Sequence, residues 1–329
     1  MIRCRCAHAF SVGSRTVKFI ECGSSPPQGH ITGTMCRPDL VAIPASRPSN
    51  ASHLSVESQS SEVSHESQSP YKPQSSEPPE TQTVFWSDIG GVVEFVSKGT
   101  TTSGGTKQSV AYTAYLLQQR PDRVAVCGLY INAKHFSLVL VDAANAYSTT
   151  LCWDDDLERV LFFRVLYYIN NPPVSMIDPT ITREGGTFTI EFQGQHHKGY
   201  TLQSCGQPVG RRTVIFRSKA GKAPVIKEQY LRCASESLEK TILNRVHEPG
   251  EMPGVVRVLG SGWVKRAEGT SIECGMGLRK RQKVRFVLQD EGNPFMEITT
   301  PYDALVTAWD ALEGRGCYLI CKLLLTCQN

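Results

Sequence analysis

Val225-Ile226-Lys227, then Ser235 to Val246 with Leu238, Ile242, Leu243 and Val246 at helical spacing and Glu239 among them, is the stretch on which the fold turns. The β-branched pair closing on a lysine reads as the end of a strand from Ala223 to Lys227, and the apolar spacing that follows predicts a helix. Taken alone, a lysine at a strand end and a glutamate on a helix are a surface cation and a solvated acid. Their weight comes from what stands on either side.

Short strands are expected upstream over Phe188 to Phe192, Tyr200 to Gln203 and Arg212 to Arg217. Downstream they are expected over Val255 to Leu259 and Lys283 to Leu288, before a helix from Tyr302 to about Leu312. Further back the texture differs. Gly91 to Val96 reads as a strand, and Gln108 to Gln119 as a helix carrying Val110, Ala111, Ala114, Tyr115 and Leu117, ended by Pro121. Val124 to Leu129 and Phe136 to Val141 read as paired strands around Asn132-Ala133-Lys134. A second helix, Leu157 to Tyr168, is opened by Asp154-Asp155-Asp156, acids that suit a helix N-terminus, and is stopped by Asn171-Pro172-Pro173.

From Ser46 to about Thr83 the chain is dominated by Ser, Pro, Glu, Gln and His, too poor in apolar side chains to offset the entropy of ordering. The expected organisation is a disordered N-terminal region over 1–83, an α/β region over 84–185, a second domain over 186–314 and a divergent tail over 315–329. A length of 329 residues suits two domains, and a net charge of +4 with scattered bases selects no partner and does not imply nucleic acid. Twelve cysteines at irregular spacing, without C-x2-C units, give neither a zinc nor a disulfide pattern. His196-His197 reads as an exposed turn, and neither this pair nor His135 has a spaced third metal ligand. There is no apolar run long enough to span a bilayer and no secretory h-region, so the reading is intracellular, cytoplasm or nucleus, with no membrane partner. Arg3, Arg5, Arg15 and Lys18, unaccompanied by an acid, leave mitochondrial import as a weaker alternative.

Trp86-Ser87-Asp88, Val93-Glu94-Phe95, the run Tyr115-Leu116-Leu117-Gln118-Gln119-Arg120-Pro121-Asp122-Arg123-Val124, Gly128-Leu129-Tyr130, Val141-Asp142, Phe163-Arg164-Val165-Leu166 and Ile177-Asp178-Pro179-Thr180-Ile181 follow one another in an order that resembles fungal-type protein kinases. The resemblance continues through Gly210-Arg211-Arg212-Thr213-Val214-Ile215, Leu238-Glu239-Lys240-Thr241-Ile242-Leu243 and Met252-Pro253-Gly254-Val255 to Leu305 through Gly314. No single piece is diagnostic; their order over about two thirds of the chain carries the resemblance.

The resemblance implies an α+β chain, a protein-kinase-like small lobe preceded by a family-specific α/β region and a disordered N-terminal segment. It implies ATP-dependent phosphorylation on Ser or Thr, with ATP and Mg as cofactors. Lys227 would position phosphates, Glu239 would hold that lysine, and Gly206 and Gly210 stand where a glycine-rich cover belongs. Gly206-Gln207-Pro208-Val209-Gly210 lacks the G-x-G-x-x-G form, and Pro208 stiffens the turn. No H-R-D-x-x-x-x-N and no D-F-G occurs in the 329 residues, and the resemblance stops at Gly314. The expectation is therefore a kinase homologue cut short before its catalytic loop, without kinase activity, whose uncovered small-lobe face calls for a protein partner. Two alternatives stand beside it. The region from Trp86 to Thr182 could serve as a non-catalytic protein-binding module. Asp88 and Glu94 could be the vestige of a D…E-x-K metal-dependent nuclease, although Val96 stands where the lysine belongs and the next lysine is Lys98.

Overall fold

The computed structural model describes residues 10–12, 15–22, 27–31, 38–44, 84–95, 102–221, 223–232, 236–248, 250, 255–289, 299–302 and 305–306. Two sheets organise them. The first has seven strands in chain order: β1 (Phe10–Val12), β2 (Arg15–Glu21), β3 (Leu40–Pro44), β4 (Gly91–Phe95), β5 (Ala125–Ile131), β6 (His135–Asp142) and β7 (Ala146–Cys152). All neighbours pair antiparallel except β4 and β5, which are parallel because helix α1 (Thr102–Gln119) crosses between them.

Both faces of this sheet are covered, so β4 and β5 read as continuous apolar runs rather than alternating ones. Val92, Val126, Val139 and Val141 face α1 through Leu116 and Leu117, with Trp86 and Ile89 closing that core. Val93, Cys127 and Leu129 face the other way, onto Phe162, Val165, Leu166 and Ile169 of helix α2 (Asp156–Asn170). Asp155 caps α2, its side chain accepting from the backbone N–H of Leu157 and Glu158. Gly128 lets α1 approach closely, since a Cβ there would run into Thr113.

The second sheet runs β13-β15-β12-β11-β10-β9-β8, with β14 beside β15. Its strands are β8 (Ile181–Glu184), β9 (Thr187–Phe192), β10 (Gln195–Cys205), β11 (Val214–Ser218), β12 (Val225–Leu231), β13 (Val258–Trp263), β14 (Glu273–Cys274) and β15 (Arg281–Leu288), and helix α3 (Glu236–His247) follows β12. Every pairing is antiparallel. Alternation along β12 and β15 divides the core. Val225, Leu231, Val284, Phe286 and Leu288 share one face, while Ile226 joins Ile181, Phe188, Ile190, Tyr200, Val214 and Phe216 on the other.

The mixed α+β class expected from the resemblance is what the chain adopts. Several elements differ from the sequence reading. β2 and β3 lie inside the stretch expected to be disordered over 1–83; Phe19, Ile20, Leu40 and Ile43 pack on the cores of the first sheet, so alternating apolar residues there do find a face to bury. The Ser46 to Thr83 segment lies outside the described residues, as does most of the helix expected from Tyr302 to Leu312. β7 was not anticipated, because Ser148-Thr149-Thr150 is polar and signals a loop until β6 supplies a partner. His196 and His197 stand on β10 opposite Glu191 and Ile190 rather than in a turn; the turn is at Gln193 and Gly194, both at positive φ.

Candidate functional site

Lys227 sits on β12 between Ile215 of β11 and Phe286 of β15. Its Nζ lies 5.7 Å from the centre of the Phe286 ring and donates to Glu239 Oε1 on α3. Glu239 Oε2 accepts from Gln229 Nε2 at 2.7 Å. Gln229 is two residues on from Lys227 and therefore shares its face, so strand geometry places both donors under one carboxylate. Sequence reading found the lysine and the glutamate but not Gln229, which no spacing rule singles out.

Gly206 and Gly210 flank the turn joining β10 to β11, and their backbone donors are taken. Gly206 N–H bonds to Thr213 O at 2.7 Å, and Gly210 N–H reaches Ala143 O of the first sheet, also at 2.7 Å. Gln118 Nε2 of α1 holds Gly206 O at 2.9 Å. Arg212, just beyond, is buried and donates to the carbonyls of Leu117, Arg120 and Arg123 at 2.7–2.8 Å, closing off the C-terminal end of α1. The turn is thus moored to α1 and to the turn between β6 and β7.

A second cluster lies on the opposite face of the same strands. Glu228, Lys283, Arg285 and Asp178 are all buried. Lys283 Nζ bridges Asp178 Oδ2 at 2.5 Å and Glu228 Oε2 at 2.7 Å. Arg285 Nε donates to Glu228 Oε1 at 2.6 Å, and its other nitrogens reach Thr180 Oγ1 at 3.0 Å and Glu191 O. Burial would raise the Asp178 pKa, but Lys283 and Arg285 overcome it and hold the carboxyl below the ordinary range. Asp178 N–H in turn bonds to Asp122 O at 2.9 Å, and Asp122 is clamped by Arg120 at 2.7 and 2.9 Å. Burial alone would raise Asp122; the Arg120 guanidinium brings it down to about 2. Arg120-Pro121-Asp122-Arg123 and Ile177-Asp178-Pro179-Thr180 were read as markers of resemblance, without a role. Each is one side of the joint between the two sheets, a long-range contact that no local pattern reveals.

Asp88 and Glu94 are not brought together. Asp88 pairs with Arg183 at 3.0 Å in the turn before β4, whereas Glu94 is buried near the far end of that strand and accepts from Asp39 N–H at 3.2 Å. Burial, reinforced by Asp39, pushes the Glu94 pKa up to about 8, so it is largely protonated at neutral pH. Among the described residues no group of three or more His, Cys, Asp or Glu comes together to hold a metal, and no helix is long and apolar enough to cross a membrane.

A lysine on the third of five consecutive antiparallel strands of one sheet (β10, β11, β12, β15 and β13 in space), ion-paired to a glutamate on the helix that follows its strand, is the arrangement expected of a protein-kinase-like small lobe. A family model described as fungal protein kinase matches residues 70–274, more than half of the chain, and the chain belongs to that family. No curated protein and no solved structure matches it.

Proposed function

We propose that this chain carries the nucleotide-facing small lobe of a Ser/Thr protein kinase, and that residues 1–329 by themselves do not transfer phosphate. The Lys227–Glu239 pair carries this reading. An ammonium fixed by a carboxylate can meet a phosphate oxygen without swinging into solvent, and Gln229 on the second oxygen keeps the glutamate from turning away.

The residues fit ATP at this lysine and not at the glycine turn. The N–H groups of Gly206 and Gly210 are committed to Thr213 and Ala143, so neither glycine offers its backbone donor to a phosphate and this reading rests on the side-chain cation of Lys227. Mg does not fit, because neither D-F-G nor H-R-D-x-x-x-x-N is present in residues 1–329 to supply its ligands or the catalytic aspartate. A general base by itself is worth about 10² to 10⁴ in rate, and the metal ions carry most of the remaining charge stabilisation. A protein partner on the small lobe belongs to the same reading, since Leu259 on its edge strand β13 is exposed.

Isothermal titration with a non-hydrolysable ATP analogue, paired with a radiolabel-transfer assay on a generic Ser/Thr substrate, tests this. Weak binding lost in Lys227→Met, with no transfer, is expected; transfer that disappears in Lys227→Met would overturn the non-catalytic part. Binding unchanged by Lys227→Met would remove the nucleotide part. The nuclease reading gains nothing from the separated positions of Asp88 and Glu94.

A further inference from the structure

We propose that β7 and the exposed first turn of α2 form an interface that takes a second copy of this chain. Among the described residues β7 is the last strand of the first sheet and pairs only with β6, in unbroken register from Ala146 to Cys152. The hydrogen bonds from Trp153 N–H to Lys134 O and from Asp142 N–H to Asn145 O fix the phase of that ladder. Tyr147, Thr149 and Leu151 consequently direct their backbone groups to β6, while Ser148 and Thr150 direct theirs outward.

Edge strands are normally blunted by shortness, charge, proline or a bulge. The other described edges follow that rule. β1 has three residues, β8 carries Arg183 and Glu184, and β13 has a register break between Val258 and Gly260. β7 has seven residues with no charge, no proline and no bulge. Its one stop is at the far end, where Glu158 Oε2 of α2 takes the outward Cys152 N–H at 2.5 Å.

That contact also places the first turn of α2 at the same edge. α2 buries Phe162, Val165, Leu166 and Ile169 on the sheet but leaves Leu157 (79% exposed), Val160, Leu161, Phe163 (61%) and Tyr167 to solvent. A two-fold axis through Thr149 pairs the open edge with itself. Ser148 then exchanges both backbone bonds with the second copy's Thr150, Tyr147 faces Leu151, and Thr149 faces its own counterpart, so no like charges meet. The same axis sets the two α2 helices antiparallel on one face of a continuous sheet, with their first turns at the shared edge and their C-terminal ends leading away from it over β3 and β4. The side chains nearest that edge, Leu157, Val160 and Leu161, expose on the order of 300 Å² and the strand edge adds a few hundred more, below the ~800 Å² per partner of a standard interface and suited to a reversible dimer.

Sedimentation velocity of the full chain across the micromolar range tests the proposal. A reversible dimer is expected, with Thr149→Lys weakening it about tenfold or more because two ammonium groups would face each other. Thr149→Cys under mild oxidation should give a cross-linked dimer, absent from the wild type, that peptide mapping assigns to position 149 in both chains. Should Thr149→Lys fail to fold, Leu157→Glu in the exposed first turn of α2 reads the same equilibrium. A monomer at every concentration would overturn the proposal. So would a dimer indifferent to these substitutions and lacking the position-149 link, or an edge that takes a strand only from another protein.

Discussion

Lys227 and Glu228 are neighbours on β12 and serve opposite faces of it: Lys227 reaches Glu239 on α3, while Glu228 is sealed among Lys283, Arg285 and Asp178. A one-residue slip of β12 would exchange the two, putting the buried carboxylate where the ammonium that pairs with Glu239 belongs. The inner cluster therefore fixes the register on which the outer pair depends, and it does so through Asp178, a residue of the segment between α2 and β8.

That arrangement predicts unequal stability effects from adjacent residues. Breaking a buried, hydrogen-bonded ion cluster by removing one member leaves its partners charged in a dry site, at about 3 to 5 kcal/mol. Glu228→Ala and Asp178→Ala should each cost this much in urea denaturation or leave the chain insoluble. Lys227→Met, at a partly exposed pair, should cost about 1 kcal/mol or less. Equal losses at Lys227 and Glu228 would contradict the division of faces.

The two glycines of the β10–β11 turn should also separate. Gly210 holds φ +111°, where an L residue is strained although space is open around it, and its N–H is the link to Ala143. Gly210→Ala should cost about 1 to 3 kcal/mol and loosen the mooring of the turn. Gly206 has no such backbone requirement, and a Cβ there would meet Thr213 O at an ordinary 3.5 Å. Gly206→Ala should stay within about 0.5 kcal/mol of wild type. Thermal melts, with limited proteolysis across Gly206 to Thr213, distinguish the two.

The elements whose burial repeats along the chain were legible in the sequence. α2 with its acidic start, β5 and β6, and the strand-then-helix order around Lys227 and Glu239 all follow from local periodicity and capping. What stayed hidden depends on distant partners. Lys283 and Arg285 looked like ordinary bases on a strand, and only the arrival of Asp178, more than a hundred residues earlier, turns them inward. The glycines were placed correctly in a turn, yet nothing in Gly206 through Gly210 indicates that Ala143 occupies one of their N–H groups. β2, β3 and β7 were missed for the same reason: short or polar segments become strands when a neighbouring edge satisfies their backbone.

Glu94 gives the chain a pH dependence of definite sign. Burial and Asp39 raise its pKa from 4.5 to about 8, so between those values the folded chain keeps a proton that the unfolded chain has released. Stability from this group is full below about pH 4.5, declines as pH rises toward 8 and is level above it, a loss on the order of a few kcal/mol at about 1.4 kcal/mol per pH unit. Asp178, whose carboxyl is held low by Lys283 and Arg285, acts in the other direction, and its contribution falls away only on acidification below the ordinary carboxylate range. His30 and His197, pushed down by burial, add an opposing slope below about pH 6.5. The comparison is therefore between wild type and Glu94→Gln at each pH. The amide keeps an oxygen for Asp39 N–H but cannot ionise, so the variant should match wild type near pH 4 and exceed it at pH 8 to 9 in urea denaturation. A difference independent of pH would mean that Glu94 is ionised in the folded chain.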